Sequence, residues 1–312
     1  MIAVLAGGVG AARFLTGLVR VVDPADVTAV VNTGDDLVLH GLSISPDIDT
    51  VTYSLAGVAN PETGWGRAGE TFVTMDALER LGAPAWFRLG DRDLATHLYR
   101  TGRLADGARL HEVTAELAAA WGVRTRVLPM SDDPVRTKIT LAEGGVEVDF
   151  QEYFVHRRHA VAVRGVRVVG AEDSRPAPGV LDALASADCV VIAPSNPVVS
   201  IGPILAVPGI ASLLAERRDC VVAISPIIAG QAVKGPAGRL LVELGGEASA
   251  TEVARRLASV AGTLVVDVSD ASLAADIAQV GLRCVVAPTL MHTGEVAAEL
   301  ARTVLAAAGA RS

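Results

Sequence analysis

Short apolar, β-branched runs, most of them four to six residues long and apolar throughout, alternate with amphipathic stretches along much of this chain. No other feature limits the fold so strongly. A strand that is apolar on both faces must be covered on both faces, which calls for a mostly parallel sheet with helices packed on either side. The runs fall at residues 2–6, 28–32, 85–89, 189–193, 220–224, 263–268 and 284–287. An α/β fold is therefore expected.

Between about residues 53 and 187 the rhythm changes. Helical periodicity at 71–81, 94–104 and 112–121 gives way to alternation at 138–142, 146–154 and 162–169 that suits antiparallel strands. We read this as an inserted α+β elaboration forming one wall of a cleft, on a core of residues 1–52 and 188–312. The chain has no internal repeat or Pro/Ser-rich linker, so its 312 residues are read as a single domain.

Composition narrows the function classes. Apolar residues make up 51% and charged ones 20%, enough for a core and too little polarity for disorder. The net charge is -8 and no run of Lys or Arg exists to track a phosphate backbone, which argues against nucleic acid. Apolar stretches break at Gly, Pro or polar residues well short of the ~20 that span a bilayer, so no membrane partner is expected. Met1 to Ala6 reads as a first strand rather than a leader, placing the protein in the cytoplasm. Cys189, Cys220 and Cys284 each precede a Val pair and read as buried free thiols without chemistry.

Polar residues gather where strands end. The first strand runs into Gly7, Gly8, Val9 and Gly10, with Arg13 one helical turn on. Glycines at a strand-to-helix turn let backbone amides approach a phosphate, and the helix start adds partial positive charge. The third glycine of the dinucleotide fingerprint is replaced by Arg13, and no Gly-Lys-Ser/Thr ending follows, so neither familiar template is met. Asn32-Thr33-Gly34-Asp35-Asp36 and then Asp47 and Asp49 supply hard oxygen ligands suited to Mg²⁺, although Asp47 and Asp49 equally suit a turn and a helix cap. Leu89-Gly90-Asp91-Arg92-Asp93 is taken as a third such strand end. Downstream, Ser195, Asn196 and Ser225 sit in proline-fixed turns, and Lys234 follows within reach of a phosphate. His156 and His159 have no neighbouring Cys or carboxylate to complete a zinc set, and nothing marks a covalent nucleophile.

Taken together with His40-Gly41, Gly64-Trp65-Gly66, Ala95-Thr96-His97 and the 193–205 and 225–230 segments, these motifs resemble, in collinear order, the 2-phospho-L-lactate transferase (CofD) family, including its actinobacterial phosphoenolpyruvate-transferring branch. The resemblance implies a homodimeric, Mg²⁺-dependent enzyme with a Rossmann-like core. It further implies two small-molecule substrates, the deazaflavin alcohol Fo and a lactyl- or enolpyruvyl-diphosphoguanosine donor, with GMP released. On the matching positions it places Asp49, Thr50, Asp91 and Arg92 at Fo, with Asp49, Asp35 and Arg92 catalytic and Asp35 and Asp49 as metal ligands. Gly8, Gly10, Arg13, Ser195, Asn196, Ser225 and Lys234 fall to the guanosine diphosphate portion. A CofD-like regulatory protein that binds a nucleotide sugar without turnover is the rival class, and a nicotinamide-binding oxidoreductase a weaker one.

Overall fold

The computed structural model describes residues 1–233 and 235–309. The chain begins with β1 (Ile2–Ala6), α1 (Gly8–Leu18) and β2 (Val27–Val31), then a hairpin of β3 (Leu37–Leu39) and β4 (Leu42–Ile44). Helices α2 (Pro46–Leu55), α3 (Val73–Arg80), α4 (Asp93–Ala105) and α5 (Leu110–Ala120) lead to β5 (Arg126–Pro129). Next come β6 (Arg136–Leu141), β7 (Glu147–Asp149) and β8 (Val163–Val169), then α6 (Val180–Ser186) and β9 (Cys189–Ile192). The last third holds α7 (Gly202–Ala206), α8 (Ile210–Glu216), β10 (Val221–Ile224), the small pair β11 (Ile227–Ile228) and β12 (Gln231–Ala232), α9 (Ala237–Glu243), α10 (Ala250–Leu257), β13 (Thr263–Val266), α11 (Ala274–Val280), β14 (Arg283–Val286) and α12 (Gly294–Gly309).

Seven strands form one parallel sheet in the order β14-β13-β10-β9-β1-β2-β5. Period-two alternation then sends neighbouring side chains to opposite faces. Ala3 and Leu5 of β1 join the core under α6, α8 and α10, while Val4 and Ala6 join the one under α1 and α12. Val190 and Ile192 of β9 divide from Val191 in the same way. The expected α/β class with helices on both faces is what forms.

Two details differ from the sequence reading. Residues 85–89 make no strand; their apolar side chains, Ala85, Phe87 and Leu89, pack instead on Met75 and the β3–β4 hairpin in a satellite core. The third strand of the sheet is β5, which pairs with β2 and so brings part of the 53–187 stretch into the central sheet. Strands β7, β6 and β8 do form an antiparallel sheet, but the strand expected over 146–154 stops at Asp149 and the chain turns helical, and Phe150 and Phe154 of that helical segment line the cavity described below.

Cys189 is buried, and that burial pushes its thiol up to about 12, so it stays protonated and unreactive. Among the described residues no single helix is long and apolar enough to cross a membrane. The one bent pair that passes on composition, Pro197–Ala206 with Ile210–Glu216, buries Ile204, Ile210 and Leu214 in the core.

Candidate active site

From β1 the chain moves outward to β2 and β5, and from β9 it moves outward the other way, to β10, β13 and β14. Neighbouring strands whose connections diverge leave a crevice at their carboxyl ends, where open α/β sheets take their ligands. A cavity of about 600 Å³ opens there. Gly8 on its floor has φ +69°, a conformation glycine adopts without penalty. Gly10 is required for a different reason: a Cβ at that position would sit 2.3 Å from the Pro194 carbonyl oxygen of the facing loop. The Ser195 hydroxyl stitches the two loops together, donating to the Gly7 carbonyl at 2.8 Å and accepting from the Gly7 N–H at 3.3 Å.

The nucleotide positions expected from sequence therefore separate into two groups. Ser195 and Ser225 line the cavity, but their hydroxyls are spent on backbone, Ser195 on Gly7 and Ser225 on the Ile227 carbonyl at 2.9 Å. Asn196 accepts from the Val198 N–H at 2.9 Å through Oδ1, which leaves its buried Nδ2 without a partner among the described residues. That amide is a donor available to a ligand. Arg13 is an exposed cation on the cavity lining with no side-chain bond among the described residues. If it grips a phosphate, Arg13→Ala should weaken GDP binding roughly ten- to hundredfold, the usual loss of a charge-assisted bond, as read by calorimetry. Lys234 lies outside the described residues.

Beyond the tip of β2 lies a buried acidic cluster. Burial, reinforced by the charges of Asp47 and Asp36, holds the Asp35 carboxyl well above its usual range. Its Oδ1 has no hydrogen-bond partner among the described residues. Burial also raises Asp36, to about 7, against the bond it accepts from the Ser45 hydroxyl at 2.7 Å. Asp47 is raised by burial too, although Asn32 Nδ2 donates to it at 2.9 Å and the Gly8 N–H also donates. Asp35 and Asp47 line the cavity. Crowded carboxylates with an unsatisfied oxygen are what a hard divalent cation would satisfy, so this cluster fits Mg²⁺. Asp47 is one of the carboxylates that the sequence offers to Mg²⁺, although the expected metal pair is Asp35 and Asp49.

Asp49 has a different environment. It faces α4, where Asp93, Thr96, His97 and Arg100 recur at i, i+3, i+4 and i+7 and so share one side of the helix. Arg100 is completely buried and bonds both Asp49 oxygens, Nη1 to Oδ2 at 3.1 Å and Nη2 to Oδ1. His97 bridges onward, with Nδ1 3.4 Å from Arg100 Nη1 and Nε2 3.2 Å from Asp93 Oδ2. The Tyr53 hydroxyl donates to Asp93 Oδ1 at 2.6 Å. Burial alone would raise the Asp93 carboxyl, but the His97 and Tyr53 bonds hold it low.

Ligand atoms of Asp49, Asp93 and His97 lie within 4.8 Å of one another, a spacing that suits a metal. The Arg100 guanidinium, however, already balances Asp49 and touches His97, so a cation there would meet a fixed like charge. We therefore prefer Asp35 with Asp47 over Asp49 as the metal seat. Asp49 and its neighbour Thr50 remain buried on the cavity lining.

Asp91 and Arg92, expected at Fo and the reacting phosphate, do not line the cavity. With no strand at 85–89, the Gly90 turn does not point from the sheet into the crevice. Instead it exchanges caps with a neighbouring loop. Asp91 accepts from the Thr71 hydroxyl at 2.5 Å and from the N–H groups of Val73 and Thr74 at 2.9 and 3.0 Å, bonds that hold its carboxyl well below the usual range. In return Glu70 accepts from the N–H groups of Arg92 and Asp93, each at 2.8 Å. The Arg92 side chain donates to the Ala68 carbonyl at 3.1 Å. Another part of the lining is aromatic and aliphatic. Phe150 and Phe154 stack with centroids 5.4 Å apart and planes 8° from parallel, and Phe87, Val155 and Ile228 also line it.

Known proteins resemble this chain over most of its length. A phosphoenolpyruvate transferase from Streptomyces griseus is 47% identical over 310 residues, covering 97% of each chain. A 2-phospho-L-lactate transferase from Methanothermobacter thermautotrophicus is 43% identical over 277 residues, covering 89% of this chain and 88% of its own. A Bacillus halodurans protein of known structure superposes with a TM-score of 0.66 over 97% of this chain and 98% of its own, at 17% identity, a likeness of fold alone. The model of the family described as 2-phospho-L-lactate transferase CofD matches residues 2–287, nearly the whole length of a chain whose glycine loop, acid cluster and aromatic wall meet at one crevice, and the chain belongs to that family.

Proposed function

We propose that this protein moves a phosphorylated three-carbon acid from a guanosine diphosphate carrier to the terminal ribityl hydroxyl of Fo, releasing GMP and starting side-chain assembly on coenzyme F420. One observation carries the reading: a single cavity joins a glycine-and-arginine phosphate cradle, a buried acid cluster and an aromatic wall. Those are the surfaces that a diphosphate, a divalent cation and planar rings require.

In the reaction the hydroxyl oxygen forms a bond to the phosphorus bearing the acid while the bond from that phosphorus to the GMP oxygen breaks in line. Asp49, held in place by Arg100, accepts the hydroxyl hydrogen bond and then its proton. Arg13 and the Asn196 amide hold the donor phosphates. Asp35 and Asp47 would hold Mg²⁺, which when bound neutralises charge on the phosphate oxygens. Residues 53–187, apart from β5, act as the wall that closes the cleft within one domain, and the working unit is a homodimer.

The donor reading leans on the relatives named phosphoenolpyruvate transferase, several of which are actinobacterial. Enolpyruvyl and lactyl donors differ at one planar or tetrahedral carbon, a distinction worth roughly 1–3 kcal/mol in an apolar pocket. With both guanylyl donors at equal concentration and products separated by mass, the dehydro product should dominate. Predominance of the lactyl product would reverse the donor assignment and leave the transferase intact; release of no GMP from either would favour a nucleotide-binding regulatory role.

A further inference from the structure

Of the three tryptophans, two have partners in the fold. Trp86 stacks on His156 with centroids 5.3 Å apart, and Trp121 lies under Arg67 and edge-on to Tyr53. Trp65 has no ring partner among the described residues. It is 49% exposed and lies on the cavity lining. An indole face held in solvent beside a ligand cavity costs hydration free energy, which a flat ligand would recover.

The backbone around it is fixed. Gly64 and Gly66 take φ of +75° and +67°, and the Thr63 hydroxyl donates to the Trp65 carbonyl at 2.6 Å. The loop closes on itself through Gly64 N–H to the Asn60 carbonyl at 2.9 Å and Asn60 N–H to the Gly66 carbonyl at 3.0 Å. Arg67, the second residue after Trp65, is anchored over Trp121 with its guanidinium carbon 4.4 Å from the ring centroid. The loop also rests against the phosphate cradle: a Cβ on Gly64 would meet a Val9 methyl at 2.7 Å and lie 3.8 Å from Arg13 Nη2. An exposed indole is thus presented next to the cation proposed to grip the donor phosphates.

We propose that Trp65 is the stacking platform for a planar heteroaromatic ring at the cavity mouth. The inference rests on the transferase reading only for the identity of the ring, which is carried by either the guanosine donor or the deazaflavin acceptor. Calorimetric titration with GDP alone and with Fo alone, on the wild type, Trp65→Ala and Trp65→Phe, tests it without using turnover. Loss of the indole should weaken one ligand by about tenfold or more, in line with the cost of removing an aromatic from beneath a base. Phenylalanine, which keeps a ring, should restore that ligand to within about threefold, and the ligand affected names the ring. If both ligands bind wild type and neither dissociation constant moves by more than about twofold in Trp65→Ala, the platform is refuted while the transferase reading stands. If wild type binds neither ligand, the transferase reading fails and takes this inference with it. Should Trp65→Ala misfold, equal loss of binding in a well-folded Trp65→Phe would also overturn the stacking role, because a ring would be present without effect.

Discussion

Asp35→Asn is expected to cut transfer by roughly a hundred- to a thousandfold or more, the usual cost of losing one charge-handling group at a reaction centre, and at the same time to make the ligand-free protein more stable. Both effects have one cause. Asp35 shares a buried site with Asp36 and Asp47, and nothing among the described residues satisfies its Oδ1. Such a site is arranged to receive a cation, and without one it stores repulsion.

The pH dependence gives the sign. A carboxyl whose folded pKa lies above its unfolded value binds protons more tightly when folded, so its cost to stability is absent at low pH. That cost begins as pH rises past the ordinary value of 3.8 and is complete once the raised carboxyl has ionised. The stabilisation by Asn should accordingly be large at alkaline pH, vanish in acid and shrink on addition of Mg²⁺. Chemical denaturation across pH, with and without Mg²⁺, reads all three. A variant less stable than wild type at high pH without metal would show that Asp35 is structural.

At the neighbouring seam the signs reverse. Arg100→Met should lower stability by about 3–5 kcal/mol, because it leaves the buried Asp49 carboxylate without its counter-ion. Asp49→Asn should likewise be costly by leaving Arg100 unpaired, and it should also remove most turnover. Combining Arg100→Met with Asp49→Asn should be less damaging to stability than the two single losses added together, since the double variant buries no lone charge. Activity should not return with that recovered stability. Strict additivity in a denaturation cycle would mean that the pair does not interact as the 3.1 Å contact indicates.

Much of this was legible in sequence because the local signals agree with the global packing. Runs such as 189–193 and 220–224 are apolar on both faces and flanked by glycine or proline, and they become β9 and β10 within a residue or two. The run at 85–89 is apolar except for Arg88, and period alone cannot tell a central strand from a segment packed on a satellite core. Conversely, β5 has only Val127 and Leu128 between Arg126 and Pro129, too little signal to single out. The glycine loop, Arg13, Asp35 and Asp49 were each visible at strand or helix ends and do converge on the cavity. Asp91 looked identical in kind, and only its tertiary partners Thr71, Val73 and Thr74 reveal it as a helix cap. The α4 face of Asp93, His97 and Arg100 was readable as a spacing, but its meaning depends on α2 lying opposite.

The contact of Gly10 with the Pro194 carbonyl, together with the Ser195 stitch to Gly7, also bears on how such a chain can diverge. The two loops are separated by more than half the sequence, yet neither tolerates a change of shape unless the other moves with it. A side chain gained at position 10 could be inherited only alongside a re-routed 194–196 turn, and a lost hydroxyl at 195 would release the very peptide that sets the floor of the crevice. The pair forms a single heritable unit, fixed across mutational steps by steric exclusion, while the cavity rim can drift toward new acids and new acceptors.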